Sequence, residues 1–252
     1  MKLAIFDIDG TLTSTNRVDG QCFWASVQAA LDVGSEPDWS DFAEVTDTAI
    51  LADLCARHSR EDYAAVEADV QTRFFAHLES TATTDPSAFR PIGGAEGILA
   101  HVQQAGWTPA LATGGWRRSA EIKLSAAGIP TQGVPLASSS DHPRRVDIVR
   151  EAIRKADPEG AASGVVLVGD ALWDLRTAQA LQLGFVGRAE GSAAQSLIDH
   201  GADAVVPHFG VRESLMSALE RALGSSTEDS LTSRSRRTAH RAGTARPNRS
   251  AD

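Results

Sequence analysis

Three short stretches of this 252-residue chain place carboxylates or a hydroxyl directly behind an apolar run. Asp7 and Asp9 follow residues 2–6, in Asp7-Ile8-Asp9-Gly10-Thr11-Leu12-Thr13. Thr113, with Gly114 and Gly115, follows residues 108–112. Asp170 and Asp174 follow residues 164–168, in Gly169-Asp170-Ala171-Leu172-Trp173-Asp174. Polar residues that end buried strands collect at the C-terminal edge of an open α/β sheet, where ligands bind. Carboxylates converging there repel one another and need a counter-charge. A hard dication with oxygen ligands, Mg²⁺, is the natural candidate.

The elements that must position these groups are legible from hydrophobic patterning. The apolar runs are short and continuous rather than alternating, which predicts strands covered on both faces, as in a parallel sheet. Further runs at 134–137 (interrupted by Pro135), 183–186 and 204–206 extend the series. Helical stripes separate them. Ala95, Ile98, Leu99, Val102 and Ala105 form one, stopped by Gly106, and Ala120, Leu124 and Ala127 another, stopped by Gly128. Val146, Val149, Ile153 and Ala156 form a third, and Leu175, Ala178 and Leu181 a fourth. Strand and helix in alternation predict an α/β fold, a Rossmann-like parallel-sheet core with right-handed crossovers.

The interval between the first two strands breaks this rhythm, being far longer than the dozen or so residues a crossover needs. It carries helical patterns at 18–33, 46–57 and 61–80, the last with Tyr63, Val66, Val70, Phe74 and Leu78 at spacings of three and four. The expected organisation is a core of residues 1–14 and 85–224, an inserted helical subdomain at 15–84 returning through 81–90, and a tail at 225–252. The tail is rich in Ser, Thr, Arg, Ala and Gly, with Leu231 its only large apolar residue, and is expected to be disordered and basic.

Charge narrows the partners. The net charge is −9, yet the tail carries six Arg against Glu228, Asp229 and Asp252, so the remainder is more acidic still. An acidic body is a poor binder of nucleic acid, whose affinity rests on Lys and Arg neutralising phosphates. The basic tail could touch RNA or an acidic partner, but an inert solvated segment is the plainer reading. No apolar run approaches a membrane span, and the N-terminal run is too short for a signal peptide. Cys22 and Cys55 are too few for a disulfide framework, which suggests reduced core thiols and a cytoplasmic location. The sequence does not speak to oligomeric state.

Taken in order, the three motifs resemble those of the haloacid dehalogenase (HAD) superfamily. Asp7-Ile8-Asp9-Gly10-Thr11-Leu12 is similar to its first motif, DxDGT followed by Leu or Val. Leu111-Ala112-Thr113-Gly114-Gly115 is similar to the second, and Gly169 to Asp174 to the fourth, GDxxxD. The helical insert sits where that superfamily places a C1 helical cap. The pattern is nearest to phosphoglycolate-phosphatase and β-phosphoglucomutase-like members. The resemblance implies a Mg²⁺-dependent phosphatase of small phosphate monoesters. Asp7 would be the nucleophile and Asp9 the acid/base, with Thr113 and Gly114 binding the transferring phosphoryl oxygens. Mg²⁺ would be held by the Asp7 carboxylate, the Asp9 backbone carbonyl and Asp170, with Asp174 ligating or orienting a metal-bound water. The third motif should supply a Lys or Arg bridging nucleophile and phosphate; Arg145 is preferred and Arg144 is second. The superfamily's carbon–halogen hydrolases lack the second acid, so Asp9 favours phosphoryl transfer.

Each residue also has a plainer reading. An Asp-Gly behind an apolar run is usually only a turn, Thr113 could be an N-cap, and Asp174 could merely complement a helix dipole. Asp47 reads first as an N-cap and second as a substrate contact. Trp116, Arg117 and Arg118 either face the substrate or cover the domain junction. The substrate is expected to be a small phosphorylated metabolite, by default a sugar phosphate or phosphoglycolate. The rival functions are a phosphomutase with the same residues and a non-catalytic binding protein on the same scaffold.

Overall fold

The computed structural model describes residues 1–34 and 38–225. Six strands form one parallel sheet: β1 (Lys2–Phe6), β2 (Trp107–Ala112), β3 (Leu136–Ala137), β4 (Gly164–Gly169), β5 (Gly184–Arg188) and β6 (Ala204–Val206). Their order is β3-β2-β1-β4-β5-β6. The chain leaves β1 toward one edge and later returns to β4 on its other side, which makes the end of β1 a topological switch point. Phe6 pairs in register with both Leu111 and Val168. Asp7, Thr113 and Asp170 therefore leave the sheet at the same edge.

Side-chain alternation along β1 sends Leu3 and Ile5 to one face and Ala4 and Phe6 to the other, all fully buried. The first face packs on α6 (Arg145–Ala156), α7 (Leu172–Leu181) and α8 (Gly191–Asp199), with Ile148, Val149, Leu175 and Leu197 in its core. The second packs on α4 (Ile98–Gln104), α5 (Arg117–Ala126) and the helical residues 212–225, here called α9, through Val102, Leu124, Leu215 and Leu219. Both faces are covered, which is why the strand sequences run apolar without alternation.

The inserted cap holds α1 (Asn16–Leu31), α2 (Asp47–Arg57) and α3 (Tyr63–Thr84). Val66, Val70, Phe74 and Leu78 place a buried stripe on α3. It meets Val18, Phe23 and Val27 of α1 and Leu51 and Leu54 of α2. Trp116 and Ile122 of the core join the same apolar cluster, so cap and core share a packed seam.

Several boundaries depart from the sequence reading. α1 begins at Asn16, and α3 continues to Thr84 before the 3₁₀ turn Pro86–Phe89 returns the chain. Asp47 is not the N-cap of α2. Thr46 is, its Oγ1 accepting from Ala49 N at 3.2 Å, and Asp47 is the first helical residue. β3 keeps only two residues of the expected run. Pro135 has no amide to donate and contributes only its carbonyl, to Leu111 N at 2.8 Å. Ser225, expected in the tail, belongs to α9. The rest of the expected tail, 226–252, lies outside the described residues.

Candidate active site

The turn after β1 sets the geometry. The amides of Thr11, Leu12 and Thr13 all point to the Ile8 carbonyl, folding the chain back on itself within four residues. Gly10 has φ +75, and a Cβ there would meet Asp170 Oδ2 at 2.0 Å. Glycine is thus required for both the turn and the approach of Asp170. The turn leaves the Asp7 side chain buried against the sheet edge, while Asp9 emerges toward the cap.

Carboxylate oxygens of Asp7, Asp170 and Asp174 lie within 4.8 Å of one another. Asp174 is the third residue of α7. Its Oδ2 accepts from the amide of Ala171 at 3.2 Å and its Oδ1 from Arg145 Nη1 at 2.8 Å. Asp174 thus bonds the start of its helix and also lies beside Asp7 and Asp170. Asn16 Nδ2 donates to Asp170 Oδ2 at 3.1 Å. Burial, then the neighbouring Asp174, pushes the Asp7 carboxyl well above the ordinary carboxylate range, although Arg145 opposes this. The same two causes raise Asp170 to about 7. Burial raises Asp174 as well, against Arg145 and backbone amides. Such a set is unfavourable without a cation, and its donors are all hard oxygens, so the residues fit Mg²⁺.

Asp9 is held apart from this triad. Its Oδ1 accepts from Thr15 Oγ1 at 2.5 Å and its Oδ2 from Lys123 Nζ at 2.6 Å. Its carboxylate is not part of the cluster, which leaves only its backbone carbonyl for a metal. Lys123 is completely buried and also donates to Asp19 of the cap at 2.6 Å. Burial alone would depress the ammonium, but Asp19, Asp9 and Asp47 carry it above its ordinary value. Burial in turn raises Asp19 to about 6 despite Lys123.

Thr113 ends its strand nearly inaccessible, and its Oγ1 accepts from Gly115 N at 3.1 Å rather than capping a helix. Arg145 opens α6. Its Nε donates to Val45 O of the cap at 3.0 Å, and its guanidinium lies 5.5 Å over the Trp173 ring. A Cβ on Gly114 would stand 2.8 Å from Arg145 Nη2, so Arg145 reaches the second-motif loop. Arg144 points elsewhere: it is exposed and sits 3.5 Å from Glu44 and 3.7 Å from Asp147.

A cavity of about 170 Å³ opens over these groups. Asp7, Asp9, Thr113, Gly114, Arg145 and Asp170 line it from the core, and Asp19, Phe23, Trp39, Asp47 and Ile50 from the cap. Asp47 is buried, accepts from Trp116 N at 2.8 Å, and has its carboxyl raised by burial and then by Asp19. Trp116 does not line the cavity. It is buried in the seam, its Nε1 bonded to Thr48 Oγ1 at 2.9 Å. Arg118 pairs with Glu79 of the cap and covers the junction with Trp116, whereas Arg117 pairs with Asp141 inside the core.

Lys123 and Asp19 escaped the sequence reading. A signal was present: Lys123 lies on the stripe of Ala120 and Ala127, three residues from one and four from the other. A lysine on a buried stripe must have an acidic partner.

A parallel sheet with acids grouped at its switch point and a helical cap above them makes an α/β fold with an enzyme-like acidic site. Residues 1–182 match the model of the haloacid dehalogenase-like hydrolase family, and the chain belongs to that family. Solved structures share the fold. A hydrolase from Pseudomonas syringae is 18% identical, with a TM-score of 0.64 over 87% of this chain and 98% of its own. A mutant of CbbY from Rhodobacter sphaeroides in complex with xylulose-(1,5)bisphosphate is 22% identical, with a TM-score of 0.61 over 83% and 95%. A β-phosphoglucomutase from Clostridium difficile is 14% identical, with a TM-score of 0.63 over 86% and 96%. No curated protein matches the sequence significantly. Among the described residues no helix is long and apolar enough to cross a membrane.

Proposed function

We propose that this chain is a cytoplasmic, Mg²⁺-dependent phosphatase that hydrolyses a small phosphate monoester through a phospho-aspartate on Asp7. The observation that carries this reading is the division of the acids: Asp7, Asp170 and Asp174 grouped within 4.8 Å, and Asp9 held separately by Thr15 and Lys123. The core, residues 1–14 and 85–224, performs the chemistry, and the insert, 15–84, selects the leaving group.

Asp7 attacks phosphorus, and the bond from phosphorus to the leaving oxygen breaks. Asp9 gives that oxygen its proton, then takes one from the water that attacks the phospho-aspartate. Inorganic phosphate departs and Asp7 is restored. Such general acid–base help is worth about 10²–10⁴-fold. The Thr113 hydroxyl and the Gly114 amide hold phosphoryl oxygens, and Arg145 places positive charge beside Asp174 and the phosphate. Asp7, Asp170 and the Asp9 carbonyl, with Asp174 adjacent, would hold Mg²⁺, which would supply charge to offset repulsion between nucleophile and dianionic phosphate.

The cavity wall narrows the substrate. Among its described residues Arg145 is the only Lys or Arg, and it is already engaged by Asp174 and Val45. The cap side presents Asp19 and Asp47 beside Phe23 and Trp39. A second phosphate or a carboxylate on the leaving group would meet acids there. The phosphate ester of a small uncharged alcohol, such as a sugar monophosphate, fits better than phosphoglycolate or a bisphosphate such as the one bound to CbbY.

The test is phosphate release from an aryl phosphate, with and without Mg²⁺, beside Asp7→Asn. Activity should need Mg²⁺ and fall about 10⁴-fold or more in the variant. A variant as active as the parent would overturn the mechanism. A panel of phosphorylated metabolites then fixes the substrate, and isomer formation in place of phosphate release would identify a mutase.

A further inference from the structure

A second cavity, of about 370 Å³, lies at the hinge, where the chain passes from core to cap and back. Three arginines line it, each from a different segment. Arg17 comes from the first turn of α1, Arg90 from the returning connector, and Arg188 from the end of β5. In a chain with 33 acidic residues, no Asp or Glu is in its wall. Among the described residues none of the three guanidinium groups has a carboxylate within ion-pairing distance. The buried Nε of Arg188 has no hydrogen-bond partner at all. The N-terminus of α1 opens here too, through Asn16, Arg17 and Val18. It lacks a side-chain cap, and the Thr15 hydroxyl donates to Asp9. Ser14 adds a hydroxyl to the wall.

Guanidinium groups gathered around one hollow repel each other, and a buried donor left without a partner is destabilising. An anion would satisfy both, since Arg offers planar forks matched to phosphate oxygens and a helix N-terminus attracts negative charge. From these features we infer that the hinge cavity binds a phosphate-class dianion, at a site distinct from the catalytic one. Asn16 belongs to the walls of both cavities but turns its amide toward Asp170. The bound ion would span both connectors of the cap.

The inference is independent of the proposed activity, and its test measures no turnover. Metal-free protein in EDTA, at constant ionic strength, is titrated calorimetrically with inorganic phosphate. One ion per chain is expected. Binding should weaken at least tenfold in the double variant Arg17→Gln/Arg90→Gln, both exposed positions, and in Arg188→Gln. It should persist in Arg145→Gln, which removes the cation of the catalytic cavity. Titration with methyl phosphate separates the two sources of the anion: binding of both ligands marks a site open to esterified phosphate, and binding of inorganic phosphate alone marks one for the free ion. No saturable heat with either ligand, or equal binding in the double variant, overturns the inference.

Discussion

Two cations bind core acids of the site, one on α5 and one on α6, and they are built differently. Lys123 is wholly buried, and its ammonium joins a core acid, Asp9, to a cap acid, Asp19. Arg145 retains some exposure, and its guanidinium joins a core acid, Asp174, to a cap carbonyl, Val45 O. Both tie cap to core. The ammonium has no solvent to fall back on, so its pairs hold the seam together. The guanidinium faces the cavity, with Nη2 beside Gly114, where a phosphate would lie. One flank is thus organised for cohesion and, on the proposed function, the other for the anion.

Removing the lysine should separate the two flanks most sharply. Lys123→Met strands two partly buried carboxylates, and chemical denaturation should show a loss of about 3–5 kcal/mol. Arg145→Gln should show the opposite profile: kcat lower by about 10²–10³-fold, with the denaturation midpoint in Mg²⁺ little changed. Equal stability losses in both variants would erase the distinction. Gly114→Ala presses a methyl against Arg145 Nη2 and Val45 O, both 2.8 Å away. Such overpacking costs about 1–3 kcal/mol, which should appear in kcat/KM as roughly a tenfold loss or more.

The smallest effect is a matter of protons. An unfolded aspartate ionises near pH 4, whereas Asp170 in the fold holds its proton to about 7. Between those values the metal-free fold binds more protons than the unfolded chain, so its stability falls as pH rises through that window. Thermal melts in EDTA from about pH 5 to 8 should decline, and Mg²⁺ should flatten the decline. Calorimetry near pH 7 in buffers of different ionisation enthalpy should register release of about half a proton from Asp170 on Mg²⁺ binding.

Much of this was legible in the sequence, for identifiable reasons. The continuous runs at β1, β2 and β4 announce strands buried on both faces, and the residues behind them fall at one edge because parallel register is fixed by the pleat. Helix ends were less legible. α3 passes Ser80 through a stretch poor in helix formers, where the Thr81, Thr83 and Thr84 hydroxyls are accommodated on carbonyls four residues back. Lys123 and Asp19 come together only through tertiary packing, 104 positions apart. The hinge cavity was hidden for the same reason, its three arginines being scattered along the chain.

The Trp116 indole, sealed in the seam with its N–H on Thr48, carries one more consequence. Any swing of the insert away from the sheet pulls that N–H from its acceptor and wets the ring. With the other four tryptophans replaced by Phe, Trp116 becomes an optical gauge of opening: its emission should shift to longer wavelength as the lid lifts.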